Sequence, residues 1–68
     1  QGDYARAIDY LQRAWLGRAD AEVGVHLGEV FWANGQRNEA TEVWRAVRSQ
    51  DPDNAMLQQT LQRLGVKL

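Results

Sequence analysis

Apolar residues recur along this chain at helical spacing in four separated runs, and nowhere do they alternate at the two-residue spacing of a strand. In the first run Ala7, Leu11, Ala14 and Trp15 share one stripe with Tyr4 and Ile8 on its flank, which predicts a helix over about 4–16. Gln1 and Gly2 break the chain ahead of it and Asp3 is its N-cap candidate. Gly17 is the expected stop, with Arg13 and Arg18 near the negative end of the helix dipole. Val23, Leu27, Val30 and Phe31 form the second stripe, over about 21–33, opened by Asp20 as cap with Glu22 in the first turn. Asn34 and Gly35, which tolerate a left-handed backbone, close it. Ala40, Val43, Trp44 and Val47 make the third stripe, over about 37–49, while Glu39, Glu42 and Arg45 are spaced to decorate its solvent face. Asp51, Pro52 and Asp53 then break the chain and are expected to cap a fourth helix over about 54–64, with the stripe Leu57, Leu61, Leu64 and a stop at Gly65. The pattern is all-α.

Laid against itself, the chain repeats. Gly2 falls on Gly35, Ala7 on Ala40, Leu11 on Trp44 and Ala14 on Val47 at a separation of 33 residues. Glu22 falls on Met56, Val25 on Gln59, Leu27 on Leu61 and Glu29 on Arg63 at a separation of 34. That is the length of one helix-turn-helix unit. Leu27-Gly28, Phe31, Ala40, Trp44 and Pro52 resemble the tetratricopeptide repeat, whose pattern asks for Leu-Gly, an aromatic, Ala, a second aromatic and Pro at these offsets. The run from Gly2 to Leu11 likewise resembles the second helix of such a repeat. The resemblance implies an α-α superhelix in which residues 1–19 hold the second helix of a truncated repeat, 20–52 a complete repeat and 53–68 a capping helix. Gly28 and Ala40 would let the two helices of the complete repeat approach closely, with Phe31 and Trp44 filling the space beside them. Gly24 departs from the pattern, which usually has Trp there, and leaves room that Trp15 is expected to fill. Gly65 in place of an aromatic, and Arg48 and Gln50 in place of apolar residues, suit an array that is ending. The chain therefore reads as the C-terminal piece of something longer.

Composition narrows the chemistry. The 68 residues hold 44% hydrophobic and 25% charged side chains with a net charge of −1, ordinary values for a small folded domain and without the basic excess that nucleic acid would call for. No apolar run approaches the roughly 18 to 20 residues of a membrane span. Without cysteine, disulfides and thiolate metal sites are excluded. There is no nucleophile with a base in sequence context, no phosphate-binding Gly-rich loop and no metal signature, so neither catalysis nor a cofactor is expected.

Turning about 100° per residue from Leu27 places Glu22, Val25, Glu29, Trp32 and Ala33 on the opposite side of the second helix, with His26 at the border. The resemblance implies that this side lines a concave groove for an extended or helical peptide, alongside Met56, Gln59 and Arg63 of the last helix. Trp32 has two readings, an anchor for the partner beside Val25 or a residue packed on a neighbouring helix. Glu22, His26 and Glu29 share a face at a spacing that could offer a metal three ligands, but one His without Cys or a closing ligand argues for the simpler reading, His26 bonded to Glu22 or Glu29. Glu29 and Arg63 are expected to pair across neighbouring helices. The chaperone-binding subclass of these repeats clamps a terminal carboxylate with Lys and Asn; Glu22, Val25, His26 and Glu29 occupy those places here, so that clamp is not expected, and an acidic groove with apolar patches would prefer a neutral or basic segment.

Three functions follow as expectations. The first is a scaffold or adaptor module that binds another protein through the groove residues Trp32, Val25, Glu29, Glu22, His26, Met56, Gln59 and Arg63. The second is a capping element that self-associates through the exposed first helix, around Ala7 and Leu11, with no ligand of its own. The third comes from the wording His26-Leu27-Gly28-Glu29-Val30, Asn34-Gly35 and Asp51-Pro52-Asp53, which resembles the C-terminal repeats of proteobacterial tetratricopeptide lipoproteins. Some of those are outer-membrane adaptors for periplasmic proteases. Location stays open between the cytoplasm and, in a bacterium, the periplasm and outer membrane.

Overall fold

The computed structural model describes residues 3–68, so the breaker expected at Gln1 and Gly2 lies outside the described residues. Four helices follow one another: α1 Tyr4–Gly17, α2 Ala21–Ala33, α3 Arg37–Gln50 and α4 Ala55–Leu64. They occupy a slab of 32 × 27 × 16 Å in which α2 touches each of the other three. No helix among the described residues is long and apolar enough to cross a membrane.

The caps explain where each helix begins and ends. Asp20 holds an extended backbone, and its Oδ1 accepts from the Glu22 amide at 3.0 Å, as expected of the α2 cap. Asp3 makes no side-chain cap, and its backbone (φ −99°, ψ 4°) lies outside the extended region that a capping residue typically adopts. Nor does Gly17 stop that helix: α1 runs through Gly17, and the chain leaves it at Arg18, whose backbone is extended and whose amide still donates to Ala14 O. At α4 the cap is Asn54, one residue beyond the Asp51–Asp53 segment expected to supply it. Its Oδ1 accepts from the Leu57 amide at 2.8 Å while its Nδ2 donates to Asp51 Oδ2 at 3.1 Å, so Asp51 braces the turn and Asn54 caps the helix.

Gly35 (φ 82°) and Gly65 (φ 70°) both take the left-handed conformation, and Asn34 does not. After α2, Gly35 N donates to Trp32 O and Gln36 N to Phe31 O; after α4, Gly65 N donates to Gln62 O and Val66 N to Leu61 O. Both ends are thus Schellman motifs, and at α4 the accompanying apolar pair is Val66 with Leu61, both packed on the core.

Val25, Leu27, Phe31, Ala40, Trp44, Val47 and Leu57 form the buried core. α2 and α3 touch most closely at Gly28, where an added Cβ would lie 2.1 Å from Trp44 Nε1. Trp44 is fully buried there and its Nε1 donates to Val25 O at 3.3 Å, so the indole is both wedge and tie. Gly24 faces both α3 and α1, since a Cβ would meet Val47 Cγ2 of α3 at 2.5 Å and Trp15 Cζ3 of α1 at 2.7 Å; Trp15 occupies the space the sequence left for it. Gln50 Nε2 donates to Ala19 O at 2.5 Å and joins the end of α3 to the α1–α2 loop. By contrast α1 contributes no fully buried side chain, and Tyr10 (73%) and Leu16 (82%) are largely exposed.

Candidate partner-binding face

The sector of α2 open to solvent holds Glu22, His26 and Ala33, with Glu29 and Val30 at its margins. It is narrower than spacing alone suggests. A stripe centred on Leu27 presumes burial from one side, but α2 is sandwiched by α1, α3 and α4, and the buried arc extends round to Val25. Val25 is accordingly 1% exposed and belongs to the core, so it offers no side chain to a partner. Trp32 is half-buried rather than turned away from the core. Its ring centroid lies 5.7 Å from that of Trp44 at a 38° tilt, and the Arg37 guanidinium sits 4.0 Å over its face. The tight turn at Asn34–Gln36 brings the first residue of α3 back over Trp32, a contact that helical periodicity within one element does not reveal.

Glu29 is the polar centre of the face. Its Oε1 lies 3.1 Å from His26 Nδ1, and its Oε2 accepts from the Arg63 guanidinium and from Thr60 Oγ1 at 3.5 Å. The expected pairings of Glu29 with Arg63 and of His26 with Glu29 both form. Thr60 was not anticipated. It is 4% exposed, the one buried polar residue among those described, and the signal for it was a hydroxyl standing in the apolar stripe of α4 between Leu57 and Leu61. A buried hydroxyl needs a partner, and Glu29 supplies it. Around this centre Met56 is 37% exposed, and Glu22 and Gln59 are exposed.

The face is open surface: no enclosed cavity forms among the described residues, and no three His, Asp or Glu side chains there converge as metal ligands. What it provides is an exposed Met beside a neutralised carboxylate and a margin of polar side chains. The family model for the tetratricopeptide repeat matches residues 1–64. Comparison with curated proteins and with solved structures returned no significant match.

Proposed function

Since the chain belongs to the tetratricopeptide repeat family, we propose that it holds a segment of another protein along the face between α2 and α4. Tetratricopeptide repeats are generally protein–protein interaction modules, typically without catalytic activity of their own. The observation that carries the reading is the bridge from Glu29 on α2 to Thr60 and Arg63 on α4, which sets two exposed helix faces side by side at a fixed spacing. A partner segment laid across them meets Met56 as apolar contact and His26, Gln59, Glu22 and Arg63 as polar ones. Trp32 is engaged instead with α3, through Trp44 and Arg37.

A random peptide library selected on the immobilised chain tests this. Selected peptides should lose at least about tenfold in affinity when Met56→Glu places a charge in the apolar contact, and should be indifferent to Tyr10→Glu on α1. The opposite pattern refutes the reading. It would favour the second one, association through α1, which is supported by the exposure of Tyr10 and Leu16 and by the absence of a fully buried side chain in that helix. A scaffold or adaptor role is the setting in which a face of this kind would be used.

A further inference from the structure

Hydrogen-bond accounting at Glu29 leaves a particular remainder. Both of its oxygens are engaged, Oε1 with His26 and Oε2 with Thr60 and Arg63. An ionised carboxylate has no proton to give, so the His26 nitrogen that faces it, Nδ1, carries the hydrogen. In the neutral ring this leaves Nε2 as a bare lone pair. Arg63 uses one terminal nitrogen on Glu29 and keeps further N–H groups free on a side chain that is 60% exposed; the His26 side chain is 51% exposed. What projects outward from the middle of the face is therefore one acceptor and a set of donors, held together by a carboxylate whose charge Arg63 already balances.

We propose that this pair reads the main chain of an uncharged peptide segment, with His26 Nε2 accepting from a peptide N–H and Arg63 donating to a peptide C=O. The inference rests on the partner-binding reading above. A peptide unit offers one donor and one acceptor, which is the complement of what the face presents. A partner carboxylate would find the charge of Arg63 already balanced by Glu29 and would have to compete with it for the guanidinium. A partner ammonium would find Glu29 already committed to three donors, leaving it the desolvation cost without a free carboxylate there.

The test uses the isotope-labelled chain at about pH 8, above the ordinary titration range of histidine. Ring-nitrogen shifts should show His26 protonated at Nδ1 and bare at Nε2; the reverse tautomer overturns the inference. Three pools of short blocked peptides, with uncharged, acidic or basic side chains, are then titrated while the amide signals of α2 and α4 are followed. The uncharged pool should bind tightest, and His26→Phe should weaken it about fivefold, the worth of one hydrogen bond, with helicity unchanged. An unchanged affinity for His26→Phe, or tighter binding of either charged pool, overturns this inference and leaves the face itself standing. If no pool moves the α2 and α4 signals, the partner-binding reading falls and this one with it.

Discussion

Replacing Gly28 with Ala should destabilise the chain, although alanine is the better helix former. A Cβ at position 28 would lie 2.1, 2.5 and 2.7 Å from three atoms of the Trp44 indole. Carbon contacts become ordinary at roughly 3.4 Å, so the ring must retreat by about 1.3 Å. It has nowhere to go, being fully buried and tied through Nε1 to Val25 O. Overpacking of this kind costs about 1–3 kcal/mol. If the indole is pushed off Val25, the orphaned N–H adds about 1–3 kcal/mol. Against these, Ala gains about 1 kcal/mol of helix propensity over Gly. The balance is a net loss of about 1–5 kcal/mol, and at roughly 7 °C per kcal/mol for 68 residues a loss in the middle of that range lowers the melting temperature by about 20 °C. Thermal and urea unfolding followed by circular dichroism measures it. Gly17→Ala is the control, since nothing lies within 4 Å of the added Cβ, and it should be neutral or mildly stabilising. A Gly28→Ala chain as stable as the parent would refute the view that the α2–α3 approach is set by this contact.

Gly24→Ala should also destabilise, by about 1–3 kcal/mol, because the added Cβ would meet Val47 Cγ2, on a fully buried side chain, at 2.5 Å as well as the half-buried Trp15 at 2.7 Å; a Gly24→Ala chain as stable as the parent in the same melts would contradict this. Asn54→Ala should lose about 1 kcal/mol as a true cap, whereas Asp53→Ala should change stability by less than about half a kcal/mol; urea titration distinguishes them, and a larger loss at Asp53 would return the capping role to it. The Glu29–Arg63 pair, with its Arg largely in solvent, should show a coupling below about 1 kcal/mol in a double-mutant cycle with Gln at both positions. That coupling should shrink further in molar salt, and a salt-independent value would mean that the pair is more shielded than its exposure indicates.

How far residues foretold structure depended on the range of the interaction. Helix bounds were readable to within one residue, because caps and stripes act over three or four positions. Gly28, Ala40 and Trp44 were readable as a set, since the spacing of small and aromatic residues encodes the approach of two consecutive helices. Even the filling of Gly24 by Trp15 followed from the missing bulk at one position and the surplus at another. The face was harder. Periodicity assigns each helix one buried side, and a helix packed on three sides defeats it, which is why Val25 and Trp32 lie deeper than their angles imply. At the α4 start, four consecutive residues from Asp51 to Asn54 include three with capping side chains, and only the backbone path selects Asn54. Gln50 with Ala19 left no local trace, being a bond across thirty-one positions.

The shallow packing of α1 also sets an order of opening. Stability in such folds is distributed unit by unit, and the least buried element has the smallest free energy holding it closed. Amides of α1 should therefore lose their hydrogens to solvent well before those of α2 and α3, with the Gln50 bond to Ala19 marking where that loosening stops. The chain would then behave as a firm pair of helices with a hinged flank, and the flank would be its first region to meet a protease, a chaperone or a neighbouring copy.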